Sequence, residues 1–284
     1  MMKKILAAAI VSAFAAPAFA ATANVDVYGA FRGSVDFVDG DGATNESRTR
    51  VSSNNSRIGF KGAEDLGGGL SAIWQWEYAF QLDQQGATQP QTASDSQGGS
   101  SYRHTFVGLS SKTLGSLTVG TQESPLKTST GPLAVFGDTL ADYRSVFTKL
   151  STRADNSVLY TSPKMTGLTA QVMYAAMNEA GNGAASDPDF YALSAVYSNG
   201  PLYATLAYQD NGNAAGGSGD ISAWRAGVGY TFGNTKLGLA YEDNDAENTS
   251  GVVTNDGSAW YASVAHKMGN ITLAASYTDR DEYT

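Results

Sequence analysis

The stretch Leu70-Ser71-Ala72-Ile73-Trp74-Gln75-Trp76-Glu77-Tyr78-Ala79-Phe80 decides the fold. Leu70, Ala72, Trp74, Trp76, Tyr78 and Phe80 fall at every second position, with Ser71, Gln75 and Glu77 between them. Successive side chains of a strand point to opposite faces, so this segment has one greasy and one wet face. The period recurs along the chain. Val25, Val27, Gly29, Phe31, Gly33, Val35 and Phe37 alternate with Asp26, Arg32, Ser34 and Asp36. Trp224, Ala226, Val228 and Tyr230 alternate with Arg225 and Thr231; Leu237, Leu239 and Tyr241 alternate with Lys236 and Glu242. Residues 168–174 and 271–277 repeat the pattern.

A soluble β-sandwich also alternates. Two features separate this chain from one. Aromatic residues stand near the ends of the apolar faces (Phe37, Phe80, Tyr174, Tyr230, Tyr241, Tyr277), where a membrane barrel needs interfacial girdles. Links also alternate in length. Short ones at 65–69, 111–114, 163–167, 199–201, 232–234 and 267–270 alternate with long polar ones at 39–55, 81–101, 121–155, 177–188, 210–220 and 244–257. An antiparallel up-and-down barrel with short turns on one rim and long loops on the other produces this order; a Greek key does not. The reading is therefore an all-β transmembrane barrel.

Thirteen strands are predicted: 25–38, 56–64, 70–80, 102–110, 115–120, 156–162, 168–176, 189–198, 202–209, 221–231, 235–243, 258–266 and 271–278. Single-chain bacterial barrels normally carry an even number, so strands beyond Thr284 are expected. Twelve or more strands also predict an open lumen, whereas small barrels fill theirs with side chains.

Composition agrees. Residues 1–20 read as a cleaved secretory signal: Lys3 and Lys4, an apolar run from Ile5, then Ala18-Phe19-Ala20. The barrel domain is then 21–284. No later apolar run reaches the ~18 residues of a membrane helix. Charged residues are 16% of the chain, against about 25% in soluble domains. There is no cysteine, so an exported chain must draw stability from elsewhere, as a closed hydrogen-bonded barrel does. The net charge of −9 becomes −11 once Lys3 and Lys4 are removed, which argues against nucleic acid as a partner. For a pore it hints at cations, but selectivity depends on the charges at the narrowest point.

The residues also resemble a known family, the general porins of Gram-negative bacteria. Val25-Asp26-Val27-Tyr28-Gly29 looks like that family's first strand. The segment from Ser56-Arg57-Ile58-Gly59-Phe60 to Asp65-Leu66-Gly67 looks like its second strand and turn. Trp76-Glu77-Tyr78, Phe106-Val107-Gly108-Leu109, Leu114-Gly115-Ser116-Leu117 and Asn156-Ser157-Val158 resemble the strands that follow. The resemblance covers most of 25–284 and implies a trimer of sixteen-stranded barrels in the outer membrane, with lipid and lipopolysaccharide as neighbours. It implies passive diffusion of ions and small hydrophilic solutes, without cofactor or metal. Family members usually end on an aromatic residue, whereas this chain ends on Thr284. Three further strands with their links would need roughly 40–50 residues, at about 9–11 per strand.

In that family the third outer loop folds into the lumen and sets acids opposite a ladder of arginines. Here the loop is 121–155, and Gly131-Pro132-Leu133-Ala134-Val135-Phe136-Gly137-Asp138 resembles the constriction segment. Its apolar residues make sense only if it is tucked inside. Arg57, Arg103 and Arg153 match the ladder by motif position. Parity supports them, with Ile58, Phe60, Phe106, Val158 and Tyr160 toward lipid and Lys61 and Thr105 inward. Arg32 and Arg225 face in by parity alone. Ala30 replaces a lysine common in one branch of the family, which weakens the positive side. Asp138 and Asp142 are the expected opposing acids, with Glu77 and Glu123 as secondary candidates. Opposed charges across a wet gap let a polar solute align its dipole and pass.

Other classes of barrel fit the residues less well. A barrel hydrolase needs a histidine as general base. Of the two histidines, His104 falls on the lipid-facing parity and His266 beside a short turn. Gly67-Gly68-Gly69 reads as a turn, not a phosphate cradle. An adhesin with a filled lumen would have fewer strands. A solute-selective channel remains the alternative; Tyr28, Tyr203 and Tyr261 are too scattered to form an aromatic slide.

Overall fold

The computed structural model describes residues 24–39, 48–83, 101–147, 150, 153–176, 189–212, 220–247 and 253–281. The leader read at 1–20 lies outside them. Fifteen strands are present among these residues: β1 (Asn24–Ala30), β2 (Gly33–Val38), β3 (Arg48–Ser53), β4 (Arg57–Gly67), β5 (Leu70–Ala79), β6 (Ser101–Ser111), β7 (Gly115–Glu123), β8 (Arg153–Thr161), β9 (Leu168–Ala176), β10 (Asp189–Asn199), β11 (Leu202–Asn211), β12 (Ile221–Phe232), β13 (Thr235–Glu247), β14 (Val253–Met268) and β15 (Ile271–Arg280). One short helix, α1 (Pro125–Thr130), follows β7. Thirteen strands form a single antiparallel sheet in chain order, with β1 joined directly to β4. The described helix is far too short to cross a membrane, so the crossing elements are strands.

β2 and β3 form a separate hairpin, which corrects the predicted single strand 25–38. The β1–β4 ladder ends at Ala30↔Arg57. Beyond it, buried Ser56 takes over the backbone of Arg32: its Oγ accepts from the Arg32 N–H (3.0 Å) and donates to the Arg32 carbonyl (3.1 Å). The chain then leaves the wall, yet its two-residue alternation continues in the hairpin. Phe37 therefore sits off the wall and belongs to no girdle.

Exposure is inverted relative to a soluble protein. Leu206, Val172, Leu239 and Leu273 are more than half exposed on the outer face, whereas Glu77, Arg103, Arg225 and Glu242 are buried inside. Aromatic rings cluster on the outer face, as in Phe60–Trp76–Tyr78–Tyr102 and Trp224–Tyr241–Trp260. On the short-turn rim, Gly200, Gly233 and Gly269 each take a φ of 54° to 60° at the first of two linking residues. Glycine at that position is what the tight hairpin turn with the strand twist demands.

Simple parity fails where a register shifts, as between Gly120 and Gln122 in the β7–β8 ladder and, with more effect on the residues read by parity, in β6. The β5–β6 register shifts between Trp76 and Tyr78. Phe106 pairs with lumen-facing Gln75 and so lies inside, while Thr105 pairs with Trp76 on the outer side. Across the bulge Arg103 returns to the lumen, and His104 points there too, 3.8 Å from Glu123. Phe106, Thr105 and His104 are thus each on the face opposite to the one parity assigns. A single extra residue in a bulge reverses alternation on one side of it.

Candidate functional site: an inward loop and its charged wall

The link expected at 121–155 is shorter than read, because β7 runs to Glu123 and β8 starts at Arg153. Between them the chain turns inward. Buried Ser124 caps α1 by accepting from the Lys127 N–H (3.2 Å), and Pro125 occupies the first turn, where its missing donor costs nothing. α1 packs on β10 and β11. A tight turn at Gly131–Leu133 follows.

Leu133 is fully buried in a socket made by three glycines of the lumen wall. A Cβ on Gly227 would stand 2.5 Å from a Leu133 methyl, one on Gly229 2.8 Å, and one on Gly238 3.5 Å from Leu133 Cβ. Only residues without side chains leave that space. Tyr143, Phe147 and Tyr261 close the cluster around it, with Tyr143 stacked on Tyr261 at 4.2 Å.

Polar side chains of the same wall fasten the loop backbone. Tyr203 donates to Ser129 O, Lys236 to Pro132 O, Ser263 to Leu133 O (3.1 Å), Gln209 to Leu150 O (2.7 Å) and Arg280 to Val146 O (2.6 Å). Tyr261 accepts from the Val135 N–H (3.1 Å). A loop buried in a lumen must satisfy its peptide groups somewhere, and β11–β15 supply the partners.

The opposite wall carries the arginines. Buried Glu77 joins Arg103 (2.5 Å) and Arg57 (3.5 Å) and accepts from Tyr28 (2.9 Å). Glu123 joins Lys127 (2.9 Å), Arg103 (3.4 Å) and Arg153 (3.8 Å). Asp138 comes across from the loop tip to Arg32 (3.2 Å), Arg57 (3.8 Å) and Arg144 (3.3 Å), and accepts from Asn55 (3.0 Å). Its φ of 67° is a left-handed conformation that Asp tolerates better than most residues. Arg144 in turn pairs with Asp142. These pairs form one continuous network of six cations (Arg32, Arg57, Arg103, Lys127, Arg144, Arg153) and four carboxylates (Glu77, Glu123, Asp138, Asp142), leaving two positive charges. Beside it the lumen holds a cavity of about 520 Å³, bounded by Arg32, Arg57, Glu77, Arg103, Asp138 and Arg144 among others.

The structure thus gathers Arg32, Arg57, Arg103, Arg153, Glu77, Glu123 and Asp138, but not as two facing rows. Glu77 and Glu123 sit within the arginine wall; Asp138 alone reaches across. Asp142 lies behind Asp138, where its carboxylate accepts from the Asp138 N–H (2.8 Å) and holds Arg144. Burial opposes ionisation of Asp142, but the Arg144 guanidinium outweighs it and holds the carboxyl below its ordinary range. Lys61 lies apart, 5.7 Å from the Tyr28 ring. Arg225 is on the other wall, buried beneath the loop. Arg144, Lys127 and His104 join the site without having been expected; the loop cations had no parity to place them.

A wide antiparallel barrel with apolar exterior, polar lumen and an inward loop defines a membrane-spanning β-barrel narrowed from within. The family model described as Gram-negative porin matches residues 7–284, and the chain belongs to that family. It is 31% identical over 274 residues to an outer membrane porin protein of Bordetella pertussis, covering 85% of this chain and 69% of that one. With the major outer membrane protein P.IB of Neisseria gonorrhoeae it shares 32% identity over 217 residues, which are 72% of this chain but 56% of that protein. The chain therefore spans little more than half the length of the Neisseria relative. Among solved structures it is similar to the anion-selective porin from Comamonas acidovorans, with a TM-score of 0.74, 23% identity, and 91% and 79% of the two chains covered. The barrel belongs to the outer membrane, its short-turn rim toward the periplasm.

Proposed function

We propose that the chain forms a passive diffusion pore for ions and small hydrophilic solutes, selected by size and charge where the loop narrows the lumen, and that it favours anions. The observation that carries this reading is the ion-pair network: it leaves two positive charges beside the cavity, although the whole chain is acidic. Permeation responds to the charges lining the narrowest point, where low-dielectric walls focus the field. Arg57, Arg103, Arg153, Arg32 and Asp138 would shape that field directly, with Glu77 and Glu123 reducing it. Asp142 would act through Arg144.

The chain reads as a channel and not a catalyst. Its two histidines lie far apart along the wall, His104 beside Glu123 and His266 against Thr235 (2.8 Å) near the short-turn rim. A homotrimer, with lipid and lipopolysaccharide around it, remains the assembly that family membership supports; the ring cluster Phe60–Trp76–Tyr78–Tyr102 offers a broad apolar face for packing. Refolded protein in a planar bilayer tests the pore: discrete conductance steps are expected, with a reversal potential in a salt gradient on the anion side. An absence of steps, or a cation-side potential, would overturn the respective claim.

A further inference from the structure

We propose that Arg225 and Glu242 form a clamp that positions the loop, so that two residues away from the cavity set the width and steadiness of the opening. The inference rests on the pore reading for its consequence, though not for its geometry.

Arg225 on β12 and Glu242 on β13 are directly opposed cross-strand neighbours. The Arg225 Nε donates to Glu242 (2.9 Å), and a second nitrogen donates to the same oxygen. Both side chains are almost completely removed from solvent. Of the lumen arginines, Arg103 is nearly as buried, whereas Arg32, across the lumen, keeps nearly half its side chain in water. The remaining donor, Nη1, reaches Leu126 O (3.3 Å) and Thr130 Oγ1 (3.1 Å), both on the outgoing limb of the loop. The guanidinium also lies 5.1 Å from the ring centre of Phe147, on the returning limb. One planar cation thus ties both limbs to each other and to the wall.

Burying such a pair costs desolvation, and an apolar pair of similar volume is often no less stable. Its distinctive property is geometry: a guanidinium presents donors in a fixed fork, so it holds partners in one arrangement. Leu133 in its glycine socket supplies apolar adhesion, which has no direction. Adhesion keeps the loop near the wall, and the clamp decides where along the wall it rests. The β12–β13 ladder runs from Ile221↔Ala246 to Phe232↔Thr235 on backbone hydrogen bonds, which the Arg225 and Glu242 side chains do not supply, so losing their ion pair releases the loop before it opens the wall.

The test uses Arg225→Met, close in volume, and Glu242→Gln, which keeps an acceptor. A position probe comes from Leu133→Cys with Gly238→Cys. A Cβ on Gly238 lies 3.5 Å from that of Leu133, within the roughly 3.5–4.5 Å that a disulfide spans, and the chain has no other cysteine. In barrels that keep Arg225 and Glu242, the pair forgoes the Leu133 side chain and must turn Ser263 Oγ aside (2.7 Å from the added Cβ), so its oxidation rate, read as a mobility shift on a non-reducing gel, is the reference. Added to Arg225→Met or Glu242→Gln, the pair should oxidise more slowly, a readout that needs no current. In bilayers, both single variants should replace one steady open level by flickering among several, at unchanged heat-modifiable mobility. Oxidising the cysteine pair should restore the steady level, and reductant should abolish the restoration. Unchanged crosslinking rates together with a wild-type open level would overturn the clamp. So would failure of both variants to fold, which would make the pair a requirement of the barrel itself. A wild-type barrel that passes no current refutes the pore reading instead and leaves the crosslinking result to decide the clamp.

Discussion

Replacing Arg32 by Gln should weaken anion preference by about fivefold, and the size of the effect follows from the cavity. A sphere of about 520 Å³ has a radius of roughly 5 Å, and at that range in water a unit charge acts on a monovalent ion with about 0.8 kcal/mol. A screening length of about 10 Å at 0.1 M salt lowers this to roughly 0.5 kcal/mol. Removing one positive charge disfavours the anion and favours the cation by that amount each. The combined ~1 kcal/mol is a roughly fivefold change in their ratio, since about 1.4 kcal/mol is tenfold. Arg32 is the right residue because it has the most exposed of the network's ion-paired arginine side chains. Its loss also leaves Asp138 held by Arg144 (3.3 Å) and Arg57 (3.8 Å), so the loop tip keeps its mooring. The assay is the reversal potential across a bilayer under a tenfold salt gradient, repeated at higher salt, where the difference should shrink. A potential identical to wild type, or one displaced toward anions, would show that the network does not govern selectivity.

Three further outcomes are expected. Leu133→Ala empties the glycine socket; burial of this kind is worth about 2–5 kcal/mol, so the loop should detach often enough to raise mean conductance while the barrel's heat-modifiable mobility stays unchanged. Leu239→Arg places a charge on the lipid face and should destabilise the barrel by about 2–4 kcal/mol if near the midplane, measured by denaturant unfolding from vesicles; the cost would be absent if that face were the lumen. Asp142 is held below its ordinary pKa, so the stability it lends the loop tip is present above the ordinary carboxylate range and lost only as pH falls through the depressed value. Open-channel noise should therefore stay flat from neutral pH down past about pH 4, whereas Asp142→Asn should be noisy throughout.

The wall was legible because lipid imposes a local rule. Every second residue of a crossing strand must be apolar whatever it pairs with, so Leu70–Phe80 announces its faces without knowledge of β4 or β6. Glycine at the short turns is equally local, since a positive φ is a property of one residue. Rules of this kind placed Arg57 and Glu77 in the lumen and predicted that Leu133, Val135 and Phe136 could not lie in water.

What escaped that reading was non-local. The two-residue pattern continues unbroken through Arg32, and only the buried hydroxyl of Ser56 shows that the strand leaves the wall there. The bulge in β6 leaves no mark in composition, yet it turns His104 inward and Phe106 with it. Polar residues face the lumen for many reasons, so parity could not separate Arg57, which lines the cavity, from Arg225, which lies under the loop. By itself the sequence determined a barrel wall with an inward-fitting loop, because alternation and burial of apolar side chains are written residue by residue. Tertiary structure alone decided which charges meet, since pairing Asp138 with Arg32 or seating Leu133 against Gly229 depends on where a loop comes to rest across a lumen.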